Sequence, residues 1–217
     1  MTTPPAPKIP LVLATRNRKK GQEMAELLLP PWEPSRNLAR LEIRTLDAYP
    51  DLPAVEEDAE TFLGNARKKA IAAAQALRTW VIADDSGLAV DALGGAPGVH
   101  SARFAGVHGD DEANNRKLLD LLAEVPDERR GAAFVCALVL ADPTAQVRAE
   151  VEASCRGRIT HEPRGTGGFG YDPLFLIPEY HKTFAELGPL VKHQLSHRAR
   201  AFARLRPILE RLIAREP

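Results

Sequence analysis

The stretch from Ala132 to Cys155 limits the possible folds of this 217-residue chain more than any other. Ala132–Ala141 (AAFVCALVLA) is an unbroken apolar run. Val147–Cys155 then alternates strictly, with Val147, Ala149, Val151, Ala153 and Cys155 set against Arg148, Glu150, Glu152 and Ser154. A period of two belongs to a strand with one wet face. Asp142-Pro143-Thr144 lies between the two runs as a turn, so the pair predicts an antiparallel hairpin. A helical bundle is thereby excluded.

The flanking segments extend this reading. Ile9–Thr15 is a short apolar strand, Lys19–Leu29 a helix ended by Pro30 and Pro31, and Leu41–Leu46 a half-exposed strand. Thr61–Leu77 is an Ala-rich helix, and Trp80–Ala83 a strand running into Asp84-Asp85-Ser86-Gly87. Leu88–Leu93 reads as a further strand, Asp110–Val125 as a helix opened by acidic residues, and Ser196–Arg215 as a C-terminal helix. Strands that alternate with helices early, with a hairpin midway, predict an α/β protein with a mixed sheet. No long linker or repeat interrupts the chain. Residues 1–8 read as a loose tail and 9–217 as one unit, with room for two lobes around a cleft.

Composition removes several classes of function. At 44% hydrophobic and 27% charged the chain is ordinary for a globular protein, which excludes general disorder. The 29 basic residues balance 29 acidic ones, so a nucleic-acid coat is not expected, although a local basic site stays open. No stretch approaches the ~20 apolar residues of a membrane helix. The start of the chain lacks a signal-peptide pattern, and Cys136 and Cys155 fit neither a disulfide framework nor a zinc spacing. The expected compartment is the cytoplasm.

Four constellations could carry chemistry. Thr15-Arg16-Asn17-Arg18-Lys19-Lys20 follows the first strand and opens the first helix. Backbone N–H groups there, with a hydroxyl, an amide and cations, suit a phosphate; an ordinary helix cap with a solvated basic turn reads the same. Glu56-Glu57-Asp58 precedes Thr61, Asn65 and Lys69, which share one helix face. That acidic run also fits a simple complement to the helix dipole. Asp84-Asp85-Ser86-Gly87 at a strand end could present one carboxylate to a hard cation, because neighbouring residues face opposite ways; a plain Asp–Gly turn is the alternative. Gly165–Pro173 (GTGGFGYDP) contains G-x-G-x-x-G but lacks the preceding strand and following helix of a dinucleotide fingerprint. Its glycines would let a flat base approach the backbone, with Phe169 or Tyr171 stacking. His193 and His197 have zincin spacing, but Gln194 stands where the general base is needed.

Taken together, LATRNRKKGQEMAELL, EEDAETFLGNARKKA, ADDSGLAVDALGGAPGVHSARFAG, GTGGFGYDPLF, KTFAEL and KHQLSHRARA resemble the inosine/xanthosine triphosphate pyrophosphatase (Ham1-like) family, in family order from Leu11 to Leu209. The resemblance implies a two-lobed α/β chain with a long, twisted, mixed sheet flanked by helices around a central cleft, forming a homodimer. It implies hydrolysis of ITP, dITP or XTP to the monophosphate and pyrophosphate with Mg²⁺. Asp85 would be the general base and a metal residue, Glu56 the second metal residue with Glu57 its alternative, and Lys69 would act beside the phosphates. Thr15, Arg16, Asn17, Arg18, Lys19 and Lys20 would grip the triphosphate. Ser86, Phe169, Gly170, Tyr171, Asp172, Lys192, His197 and Arg198 would hold the nucleoside. Neither nucleic acid nor membrane is implied.

The chain departs from the family pattern at three positions. Glycine is usual where Arg16 and Lys19 stand, and a capping Glu is usual where Gly64 stands. The loss of that cap, with an added glycine, should weaken the helix start by about 1 kcal/mol. Two other readings compete: a Maf-like pyrophosphatase acting on other nucleotides, and a non-catalytic nucleotide-binding module.

Overall fold

The computed structural model describes residues 7–216. The expected tail lies mostly outside them, but Lys8 is anchored, its Nζ donating to the Ala39 carbonyl at 2.9 Å. Two compact units divide the described residues: 7–84, 137–152 and 201–216 form one, 85–136 and 153–200 the other.

In the first unit, strand β1 (Ile9–Leu13) pairs in parallel with β2 (Leu41–Thr45) and with the start of β3 (Trp80–Val90). Parallel neighbours need crossovers. Helix α1 (Arg18–Leu28) supplies one and α2 (Phe62–Leu77) the other. Met24, Leu27 and Leu28 form the buried face of α1, each contributing roughly 1.5–3 kcal/mol of apolar burial. The inner face of α2 is almost entirely alanine: Ala66, Ala70, Ala73 and Ala74 pack with Val12, Val81, Ala83, Ala137 and Val139. Small side chains let the helix lie close to the strands.

Gly64 is explained by this unit. Its N–H receives the Thr61 cap, Oγ1 accepting at 3.0 Å, so half of the capping box survives. A Cβ at Gly64 would stand 2.8 Å from the Ala59 Cβ. The glycine therefore admits the acidic loop against the helix, a gain that the local sequence did not reveal.

The expected hairpin is present as β4 (Gly131–Ala141) and β5 (Val147–Ile159). Asp142 shapes its turn: Oδ1 accepts from the backbone of Thr144 at 2.8 Å and of Gln146 at 3.1 Å. Burial works to raise the Asp142 pKa, but these hydrogen bonds and the Thr144 hydroxyl outweigh it and hold the carboxyl below its ordinary value. The alternation of β5 runs on through Arg158, past its expected end.

In the second unit, α3 (Asp111–Leu121), β6 (Phe175–Ile177), β7 (Lys182–Thr183) and α4 (Pro189–Leu195) surround a core that includes Phe134, Phe175 and Phe184. Helix α5 (His197–Ile213) follows. The strand order is β2-β1-β3-β4-β5-β6-β7. With β5–β6 and β6–β7 antiparallel and β1 parallel to both its neighbours, the sheet is mixed, as expected of an α/β fold.

Two expectations are corrected. Trp80–Ala83 and Leu88–Leu93 are not separate strands: β3 is continuous through Asp84-Asp85-Ser86-Gly87, which is neither a turn nor a strand end. Polar side chains can sit mid-strand only when satisfied. Lys20 pairs with Asp84, Arg198 donates to Ser86, and the Ser101 hydroxyl accepts the Leu88 N–H at 2.9 Å. Helix α3 stops at Leu121 rather than Val125, because Arg130 takes over the chain end: buried, it donates to the carbonyls of Leu122 and Val125 at 2.6 and 3.3 Å. Helix α4, opened by Pro189, was not expected, nor were the short β6 and β7.

Candidate functional site

The first unit carries the basic helix start and the acidic loop. Thr15 Oγ1 accepts the Asn17 N–H at 3.1 Å, and Asn17 Oδ1 caps α1 by accepting the Lys20 N–H at 3.0 Å. The cations of this segment then separate. Lys20 Nζ lies 2.6 Å from Asp84 Oδ1, a carboxylate with no exposed side-chain surface. Arg16 turns to the Leu52 carbonyl, donating at 2.5 Å. Arg18 stands 3.6 Å from Asp47 on an open surface, and Lys19 is exposed. The six residues are therefore not one cationic grip in this arrangement: Lys20 faces inward, Arg16 braces a neighbouring loop, and Arg18 and Lys19 face solvent.

The acidic loop is pinned from α2. Buried Asn65 accepts the Ala59 N–H at 2.9 Å through Oδ1. Lys69 Nζ stands 3.2 Å from Glu57. Lys68 hydrogen-bonds Asp58 and holds that carboxyl below its ordinary pKa. Glu56 is exposed beside them. Of the neighbours Asp84 and Asp85, both buried, Asp84 is the one paired with Lys20. Alternation along β3 directs Asp85 to the opposite face.

The second unit carries the aromatic and cationic residues. Arg198 is buried and its Nη2 donates to Ser86 Oγ at 2.8 Å. Lys192 Nζ lies 2.6 Å from Asp172 Oδ2, with 9% and 3% of the two side chains exposed. The same Asp172 oxygen accepts the Phe169 N–H at 2.9 Å and closes the loop on itself. Only glycine fits at position 168, where a Cβ would stand 2.0 Å from that oxygen. The partly exposed Phe169 ring has Lys192 Nζ at 4.8 Å and the Arg198 guanidinium carbon at 5.9 Å. His197 is buried and stacks on Phe134, centroids 4.8 Å apart and planes at 12°.

Tyr171 does something different from Phe169. It is buried in the core and its hydroxyl donates to the Ser101 carbonyl at 2.9 Å. Burial, with the Asp111 carboxylate adding to it, pushes the phenol pKa well up. Of the two rings named from sequence, Phe169 is thus the one with an accessible face. Ser101 and Phe134 were not among the residues singled out, and Asp84 was given no role of its own. Asp84 was visible as half of an acidic pair, but nothing local distinguished Ser101 or Phe134.

Among the described residues, no three His, Cys, Asp or Glu side chains converge to cage a metal by themselves. The carboxylates of Glu56, Glu57 and Asp85 are hard oxygen donors, the kind that Mg²⁺ accepts one or two of when substrate phosphates supply the rest. Each of these carboxylates has, by itself, the donor chemistry that magnesium takes.

A mixed α/β sheet, a capped helix start rich in cations and a glycine loop bearing a cation-flanked ring define the class as an α/β protein. More specifically, the Ham1 family model matches residues 11–208, and the chain belongs to that family. A dITP/XTP pyrophosphatase of Rhodopirellula baltica is 54% identical over 203 residues, 94% of each chain. One from Desulforamulus reducens is 50% identical over 202 residues, covering 93% of this chain and 96% of that one. The solved HAM1 protein of Coxiella burnetii superposes with a TM-score of 0.80 at 36% identity, over 94% of this chain and 99% of that one.

Proposed function

We propose that this protein hydrolyses deaminated purine nucleoside triphosphates (ITP, dITP and XTP), releasing the monophosphate and pyrophosphate. The observation that carries the proposal is the family match over residues 11–208 together with relatives named dITP/XTP pyrophosphatases at half identity or more. Those products require cleavage between the α and β phosphates. Water adds to the α phosphorus, the bond to the bridging oxygen breaks, and pyrophosphate leaves with the electron pair.

Asp85 is the general base and accepts the proton of the attacking water. Asp84 is excluded from that role by its ion pair with Lys20. Glu56 and Asp85 would hold Mg²⁺, which supplies positive charge for the phosphates and the leaving group. Lys69 and Lys20 add charge beside the phosphates, and Thr15, Asn17 and the N–H groups of the α1 start orient them. Arg16, Arg18 and Lys19 raise the local positive potential without direct contact.

On the nucleoside side, Phe169 stacks on the base and Arg198 faces its 6-position. A guanidinium only donates. It can serve the 6-keto oxygen of hypoxanthine or xanthine, but it meets the 6-amino donor of adenine with nothing to accept. A buried polar mismatch of this kind can discriminate by orders of magnitude. Ser86 holds Arg198 in plane, while His197, Lys192, Asp172, Gly170 and Tyr171 keep the loop and helix in register.

The protein acts as a homodimer in the cytoplasm in this reading. The described residues contain no helix long and apolar enough to cross a membrane. Product analysis tests the chemistry. With ITP and Mg²⁺, pyrophosphate is the expected first product, and Asp85→Asn should lose at least ~100-fold in kcat, as removal of a general base does. Orthophosphate as first product, or an Asp85→Asn variant of full activity, would refute the scheme.

A further inference from the structure

The loop that carries Phe169 is held from a second side, by a helix with no assigned part in the reaction. Gly170, in the left-handed region at φ 62°, has both backbone polar groups taken by side chains of α3. Its N–H donates to Asp111 Oδ2 at 2.7 Å, and its carbonyl accepts from Asn115 Nδ2 at 2.9 Å. Asp111 and Asn115 are four apart, so they project from one helix face and meet the two peptide groups that flank the Gly170 Cα. Between them in sequence, Asn114 fastens the Ala105 N–H at 2.7 Å, which fixes α3 to its own preceding loop. Phe169 thus sits between an inner latch, Asp172 with Lys192, and an outer clamp, Asp111 with Asn115.

We infer that Asp111 and Asn115 are positioning residues for base recognition: they hold Gly170 so that the Phe169 ring is presented before the nucleotide arrives. The inference rests on the reading of Phe169 as the base-stacking residue. Binding to a site that is only fractionally in its competent form is weakened by that fraction. Release of the clamp lowers the competent fraction and raises KM. It leaves kcat unchanged, because the loop is ordered once substrate is bound and neither clamp residue takes part in the proton transfer. A residue important only for stability would not give this split, nor would its loss be repaired by a variant that keeps the acceptor.

The test compares pyrophosphate release from ITP by wild type, Phe169→Ala, Asp111→Ala, Asp111→Asn, Asn115→Ala and Asn115→Asp, with amide hydrogen exchange of residues 168–171. Loss of one such hydrogen bond should raise KM about tenfold in Asp111→Ala and in both Asn115 variants. Their kcat should stay within about twofold, as expected for lost ground-state binding. Exchange in the loop should speed up, and Asp111→Asn, which still offers an acceptor, should behave as wild type. A raised KM in Phe169→Ala with unchanged KM in the clamp variants overturns the clamp alone. Unchanged KM in Phe169→Ala overturns the base-stacking reading and the clamp with it. Impairment of Asp111→Asn equal to that of Asp111→Ala, or a fall in kcat at constant KM, also overturns the inference. Should Asp111→Ala not fold, the two Asn115 variants decide alone.

Discussion

The Lys20–Asp84 pair makes a sharp claim, because one residue is asked both to hold a fold and to meet a substrate. Asp84 Oδ1 lies 2.6 Å from Lys20 Nζ, with 0% of the Asp84 side chain and 18% of the Lys20 side chain exposed. Lys20→Met keeps the stem and deletes the charge, which leaves a carboxylate in the middle of β3 without that partner. Breaking a buried pair from one side costs ~3–5 kcal/mol, and the partial exposure of Lys20 places this case near about 3 kcal/mol. With a urea slope of ~2 kcal/mol per molar, the unfolding midpoint should fall by about 1.5 M. Lys20→Met/Asp84→Asn removes the Asp84 charge as well and should return to within about 1 kcal/mol of wild type. Activity should not follow stability: KM for ITP stays raised in the double variant, because the phosphate contact is still absent. A Lys20→Met midpoint within ~0.3 M of wild type would refute the structural half of the reasoning. Wild-type KM in the double variant would refute the functional half.

Three further outcomes are expected. Gly64→Ala should destabilise by about 1 kcal/mol despite its helix propensity, since its Cβ meets Ala59 at 2.8 Å; in an Ala59→Gly background the same change should stabilise, as read by urea midpoints. Asp142→Ala should cost about 2 kcal/mol at pH 7, and because the folded carboxyl titrates below its unfolded value near 4, that difference should be fully present above pH 4 and vanish as the pH falls through the folded value; equal losses at pH 7 and at pH 3 would contradict it. Burial raises the Cys155 thiol above its ordinary range, so alkylation of the native protein at pH 7.5 should leave Cys155 unlabelled until denaturant is added, as mass spectrometry of its peptide would report.

Much of the fold could be read where a single period ran long enough. The alternation of β5 and the uninterrupted run of β4 identified the hairpin, and the Ala-rich stretch after Thr61 identified α2, because local pattern and tertiary packing agree there. The composition of Asp84-Asp85-Ser86-Gly87 says turn, yet the segment lies inside β3. Its place inside β3 depends on Lys20, Ser101 and Arg198, remote in sequence, and no local window contains them. The end of α3 is hidden from the local sequence for the same reason, since Arg130 caps it from beyond the helix. Strands β6 and β7, three and two residues long, carry no period to detect.

The site was legible as residue types rather than as assignments. Sequence grouped Arg16 with Lys20 and Tyr171 with Phe169. Contacts separate them: Arg16 braces Leu52, Lys20 meets Asp84, and Tyr171 anchors to Ser101 while Phe169 keeps an accessible face. The family resemblance placed these motifs in order, but not the clamp on Gly170, which shows only when α3 is seen beside the loop.

The most direct test of the central claim is initial-rate turnover of ITP, XTP, ATP, GTP and dUTP with Mg²⁺, with pyrophosphate and orthophosphate quantified separately. The account predicts pyrophosphate from ITP and XTP at kcat/KM values at least ~100-fold above that for ATP, whose 6-amino donor Arg198 cannot serve. Equal turnover of ATP and ITP, or binding of ITP with no pyrophosphate released, would contradict it.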